Sequence, residues 1–311
     1  MRRGALGAAA ICVAAALWGF DGVALTPRLF ELDVLFVVFL LHAVPFVLMQ
    51  PVLAGSYRAL ARLAPRDWGV LVLVSLAGGI LGTFSIVKAL FLVDFQQLSV
   101  VVLLQKLQPV FAICLAAIVL RERISARFLG RAALALAGAY LLTFGLRLPA
   151  ATPGEHEVSA AIWALLAAAS FGSATVLGKR LLGALGFRQA TFGRYGLTTL
   201  IALGLLLASG RGVPLGEVAG AQWALILTIG LTTGSGAIFL YYYGLTRVRA
   251  VVSAICELCL PLSAVVFDYW LNGSVLGAWQ WVGAILLVVA ITLVSLGGSR
   301  GAVPNEPVTV A

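Results

Sequence analysis

Charge is what this chain has least of. Only 11% of its 311 residues are Asp, Glu, Lys or Arg, and 62% are hydrophobic, whereas an ordinary soluble domain carries roughly 25% charged residues. A water-facing surface needs polar cover, and a mean hydropathy of +1.07 makes lipid the solvent for most of this one. Soluble enzyme folds are set aside on that ground. Acidic residues are scarcer than basic ones, 12 against 21, for a net charge of +9. The excess does not indicate nucleic acid, because the basic residues are spread through short loops instead of gathered on one face. Histidine occurs twice, as His42 and His156, too few for a histidine-rich metal cluster, and no cofactor is expected. The four cysteines, Cys12, Cys114, Cys256 and Cys259, all lie inside apolar runs, which argues against a disulfide framework. Cys256 and Cys259 have C-x-x-C spacing but no second pair or nearby histidine, and read as small packing residues. There is no Walker loop for ATP, and the Gly234-Ser235-Gly236 step follows no strand. Nor is there a polar segment long enough to fold as a domain, or a selectivity filter.

What is present is apolar length. A bilayer-spanning helix takes about 20 mostly apolar residues, and ten such runs can be drawn, at 4–24, 34–54, 68–92, 98–119, 128–147, 158–179, 190–209, 221–245, 251–271 and 279–298. Met1-Arg2-Arg3 ahead of the first run imitates an export signal, but Trp18, Gly19 and Asp21 stand where a cleavage site would be needed, so the run reads as a retained helix. Orientation follows from the Lys and Arg bias. Arg28, Arg147 and Arg211 fall on one side, Lys88 and Lys106 lie within runs, and the other basic residues, Arg194 among them, fall on the side of the N-terminus. Both termini are therefore expected in the cytoplasm of a bacterial inner membrane.

The chain also repeats itself. Leu107-Gln108-Pro109-Val110-Phe111 in the fourth run corresponds to Cys259-Leu260-Pro261-Leu262-Ser263 in the ninth; glycines, Gly130 and Gly283, enter the runs that follow; Ala89-Leu90 and Gly244-Leu245 end the runs before. Five helices is an odd number, so the second copy is expected upside down relative to the first, with a site at the interface near the membrane midplane beside helices broken by proline. The sequence divides into a first five-helix repeat at 1–148, an external linker at 149–157, a second repeat at 158–298 and a flexible cytoplasmic tail at 299–311. Pro109 and Pro261 mark the helix breaks, and a complete repeat pair needs no partner chain to enclose a cavity.

Trp18-Gly19 in the first run, Gln108-Pro109-Val110-Phe111 and Leu120-Arg121-Glu122-Arg123 in the fourth, and Gly138 to Leu142 in the fifth resemble the drug/metabolite transporter superfamily in its EamA-type branch. The resemblance covers nearly the whole chain. It departs at Asn272-Gly273-Ser274, where a Gly-Glu-Arg-type step would end helix nine. It implies a secondary transporter, usually an exporter of amino acids, other metabolites or drugs, running on gradients and not an enzyme.

A charged side chain at the centre of a membrane helix costs about 2.5–3.5 kcal/mol on insertion scales, which makes the intramembrane polar residues the candidates for function. Lys106 and Glu257 each lie within about one turn of a repeat-marking proline, with Gln105 the positional counterpart of Glu257 and Gln108 beside it. An ammonium and a carboxylate across one cavity would suit a zwitterion such as an amino acid; the plainer alternative is an ion pair that ties the halves together. Glu257 is also the candidate site for a coupled proton. Asp21 and Lys88 are expected to pair in an outer vestibule or to snorkel, Asp268 to mark an interface, and His42 to join a proton path or simply to pack. Trp18, Trp163 and Tyr242 are the candidate aromatic walls. The glycines of helix three (Gly78, Gly79, Gly82) and helix eight (Gly230, Gly234, Gly236) permit close approach, for movement or for packing. Efflux of hydrophobic cations by cation-π contact, and a non-transporting membrane scaffold, are the competing functions. Expected partners are a small-molecule substrate, protons and membrane lipid.

Overall fold

The computed structural model describes residues 2–29, 31–92, 101, 104–146, 155–210, 212–273 and 275–298. Among them every regular element is helical. Among the described residues nine helices are long and apolar enough to cross a membrane: α1 (Arg3–Leu29), α2 (Val34–Leu53), α3 (Pro65–Leu92), α5 (Ala126–Phe144), α6 (Val158–Leu181), α7 (Phe187–Ala208), α8 (Gly220–Leu245), α9 (Ala250–Asn272) and α10 (Ala278–Gly297). The shorter apolar helix Gln108–Val119 is α4. The first residues of the expected fourth run, with Arg147, Arg211, Ser274 and the expected tail, lie outside the described residues. A short helix at Ser56–Ala61 joins α2 to α3.

The prolines act as expected of a residue with no N–H and a ring that collides with the carbonyl four residues back. Ahead of Pro109 the α-helical pattern gives way at Lys106-Leu107, where Leu107 N–H bonds to Leu104 O at 3.0 Å. Ahead of Pro261 it gives way at Glu257-Leu258, between segments Ala250–Cys256 and Cys259–Asn272, and Leu258 N–H bonds to Ile255 O at 3.1 Å. The two charged residues thus stand in the breaks themselves.

Three spans also carry a wider, π-helical stretch: Asp21–Leu25 in α1, Ser75–Leu81 in α3 and Gly230–Gly234 in α8. Those in α3 and α8 fall at corresponding points of the two repeats.

Packing follows a pseudo-twofold rule. Helix α1 lies on α8 and α9, and its counterpart α6 lies on α3 and α4; α2 pairs with α7, α4 with α9 and α5 with α10. Side chains repeat the rule. A Cβ at Gly19 would stand 2.6 Å from the Leu260 carbonyl oxygen, and one at Gly172 would stand 2.9 Å from the Gln108 carbonyl oxygen. Glycine is what lets α1 and α6 press against the broken helix of the opposite repeat. The expected pairing of Gly130 with Gly283 does not extend to packing. Nothing lies within 4 Å of a Cβ at Gly130, whereas one at Gly138 would meet the Gly283 carbonyl at 3.0 Å.

The start of α1 packs at Gly7 against Arg247, the end of α10 packs at Gly297 against Arg131, and Arg249 bonds to Arg123; these ends share one face of the bundle, the terminal face. Large apolar side chains such as Ile118, Leu200 and Ile285 are exposed on the bundle's outside, as a surface solvated by acyl chains requires.

Candidate functional site

A cavity of about 410 Å³ lies among the broken helices. Its polar wall is made by Gln105, Lys106, Gln108 and Glu257, with Trp18, Pro109 and Pro261 beside them. The wall comes from α1, α4, α5, α9 and α10, with Leu90 from α3; α6 and α8 contribute from behind it. Residues near its rim, Val23, Asp268, Val275 and Leu276, belong to the far ends of α1 and α9 and the start of α10. The cavity therefore opens away from the terminal face.

Its floor is organised by one carboxylate. Gln108 Nε2 donates to Glu257 Oε2 at 2.6 Å. Oε1 receives the hydroxyls of Tyr241 at 2.8 Å, Ser253 at 3.1 Å and Thr175 at 3.3 Å. The Tyr241 hydroxyl also lies 2.8 Å from Thr175 Oγ1, and its ring lies 5.4 Å from that of Trp18. Four donors satisfy an ionised carboxyl group without any cation. Among the described residues Glu257 makes no ion pair with Lys106, although both line the cavity.

Below the floor, the terminal face is held shut. Glu122, at the end of α4, accepts the backbone N–H groups of Ala250 at 2.9 Å and Val251 at 3.3 Å, and so caps the start of α9 with negative charge where the helix dipole favours it. Arg249 Nε lies 3.5 Å from the same carboxylate, and its Nη2 donates to Arg123 O at 2.6 Å. Lys179 of α6 donates to Leu245 O of α8 at 2.7 Å.

Several expected positions are corrected by this geometry. Tyr242 is fully buried away from the cavity, against Gly178 and Arg194; the tyrosine that reaches the site is Tyr241. Trp163 meets Phe84 edge-on at 5.6 Å and packs on the small cluster of Ala89, Ala160 and Ala164, outside the lining. His42 is buried with Nδ1 2.8 Å from Val38 O and its ring 5.2 Å from that of Tyr195, a packing contact between the repeats. Asp21 accepts a hydrogen bond from Thr26 at 3.2 Å and is not paired with Lys88; neither lines the cavity. Asp268, expected at an interface, lines the rim and accepts from Asn272 at 2.6 Å. Arg194 is no loop residue. It sits about 10 Å into α7 by helical rise, 7% exposed, in a slot that glycine opens in α3: a Cβ at Gly78 would stand 2.7 Å from its Nη2. Its Nη1 donates to the Tyr242 hydroxyl at 3.4 Å, and its Nε has no partner among the described residues.

Sequence reasoning missed Tyr241, Thr175 and Ser253. The last was within reach, since Ser253 stands one helical turn before Glu257 and shares its face.

Two repeats that cross-pack around one polar cavity beside paired helix breaks have the architecture of a membrane carrier of small solutes. The chain belongs to the EamA-like transporter family, whose model matches residues 5–144 and 158–296. It is 49% identical over 292 residues, 93% of this chain and 97% of the relative, to a protein of Fusobacterium nucleatum subsp. nucleatum named riboflavin transporter ImpX. A solved crystal structure shares the fold with a TM-score of 0.71 at 18% identity, covering 94% of this chain and 98% of the other.

Proposed function

We propose that this chain carries a neutral flavin of the riboflavin type through the central cavity by alternating access. The observation that carries this reading is the near full-length likeness to a riboflavin transporter. The cavity agrees with it. Its volume falls in the range of about 300–1,000 Å³ typical of small-molecule sites. The Trp18 indole and apolar neighbours suit a flat ring system, while Gln105, Gln108 and Lys106 offer hydrogen bonds to the ring's carbonyl edge and to a polyol chain. An amino acid is less well served, because a substrate amine would have to compete with the four protein donors already on Glu257.

With the basic loops in the cytoplasm of a bacterial inner membrane, this conformation is open to the outside. Glu257 is the group that takes a coupled proton, being the carboxyl at the junction of cavity and floor. Uptake of riboflavin, a mixed amino-acid pool and a lipophilic cation into proteoliposomes tests the reading. Saturable riboflavin flux above protein-free vesicles supports it; flux of only the amino acids or the cation overturns it.

A further inference from the structure

The Glu257 carboxylate is where four helices meet. Gln108 reaches it from α4, Thr175 from α6, Tyr241 from α8, and Ser253 from α9 itself. Helices α4, α6 and α9 pack on one another and α8 packs on α6 and α9, so a path that passes Glu257 from the cavity to the terminal face has to part them. Three of the donors are sealed in protein, with Thr175 3%, Tyr241 4% and Ser253 0% exposed. Gln108 differs. It lines the cavity while its Nε2 holds Glu257 at 2.6 Å, so it is the donor that a molecule in the cavity can touch.

We propose that Gln108 is a positioning residue that couples substrate occupancy to the gate: with the cavity empty its amide ties α4 to Glu257, and a substrate carbonyl that takes this N–H releases the tie. The proposal rests on the carbonyl-bearing substrate read above. Hydrogen bonds to an ionised acceptor are stronger than neutral ones, so the exchange is uphill for the amide alone and the other contacts of the bound ring have to drive it. A ligand shifts a two-state gate only by its differential affinity for the two states, and a donor contested between substrate and floor supplies that difference. The loss of one such bond changes the closed-to-open ratio by about ten- to a hundredfold. Gln108 stands next to Pro109, and its carbonyl is the one pressed by Gly172. Its backbone is held from both sides, and the side chain is the part free to turn.

The test is hydrogen exchange by mass spectrometry on the full chain in lipid nanodiscs, with and without riboflavin, reading the first turns of α9 (residues 250–256) against residues 283–294 of α10 as an internal reference. In the wild type, riboflavin raises exchange at 250–256. In Gln108→Leu that segment exchanges about tenfold or more faster without riboflavin, responds no further to it, and the α10 reference is unchanged. Substrate-free exchange equal to wild type, or a riboflavin response that persists in Gln108→Leu, overturns the proposal. If the α10 reference also speeds up, the variant has lost its fold, and the exchange of roles in Gln108→Glu with Glu257→Gln decides: a restored riboflavin response supports the latch, and its continued absence overturns it. Absence of riboflavin flux in the wild type removes the flavin reading alone, since the substrate-free comparison still judges the tie between Gln108 and Glu257.

Discussion

Glu122 receives the amide of Ala250 at 2.9 Å, and with that contact the last residues of α4 hold the first turn of α9. The capping oxygen matters more than the neighbouring ion pair with Arg249, whose side chain is 30% exposed and screened accordingly. Glu122→Ala is expected to cost about 1 kcal/mol and to favour opening at the terminal face. Maleimide labelling of Cys256, which is fully buried in α9, will report it as faster modification. Glu122→Gln, which keeps one acceptor oxygen, will fall between the two.

Glu257→Gln replaces a carboxylate by an amide of the same shape. The hydroxyls of Tyr241, Ser253 and Thr175 can still donate to its oxygen, so the protein is expected to fold, while a pH gradient no longer drives net flux. Exchange of riboflavin between the two sides, which needs no coupled proton, is expected to survive. Gradient-driven and exchange flux in the same proteoliposomes separate these outcomes, and undiminished pH-driven uptake would remove Glu257 from the coupling role.

The two adjacent tyrosines predict opposite results. Tyr241→Phe removes a donor from Glu257, worth about 1–3 kcal/mol at a buried charged acceptor, and is expected to depress transport with little loss of folded protein. Tyr242→Phe leaves Glu257 untouched but takes an acceptor from the buried Arg194, so its cost should appear in thermal stability before it appears in flux.

Lys106→Met keeps an unbranched side chain of similar bulk and removes the ammonium from the cavity wall. One hydrogen bond from a charged donor accounts for about a tenfold change in affinity, so the KM for riboflavin is expected to rise by that order while the maximal rate stays within a small factor. Initial rates over a riboflavin series measure both.

Gly19→Val and Gly172→Val put branched side chains where even a single Cβ would crowd a carbonyl oxygen. Overpacking of this kind costs about 1–3 kcal/mol, and each variant should melt lower in detergent. Gly130→Val, with nothing within 4 Å, serves as the tolerated control.

Length, apolar patterning and the two prolines made the repeat architecture legible before any coordinates, because a helix that must satisfy its backbone inside lipid leaves few alternatives. The same two prolines located the cavity, and Lys106, Gln105, Gln108 and Glu257 are found there together. What was hidden is rotational phase. Tyr241, Tyr242 and Tyr243 follow one another at about 100° each, and with a π-helical turn at Gly230–Gly234 interrupting the period of α8, spacing alone does not say which of them meets the site. Arg194 was misplaced for another reason: a basic residue near the start of an apolar run looks like loop charge, and only the glycine slot across from it in α3 shows how a guanidinium is housed inside.

The reciprocal pressing of Gly19 on Leu260 and Gly172 on Gln108 bears on biosynthesis. Helix α1 emerges first, yet its main neighbours are α8, α9 and α10, which are made last. The small-residue seam of the amino-terminal half therefore has its partner surface only once the other half has been translated. Each repeat completes the other's interior, and neither can bury its seam alone.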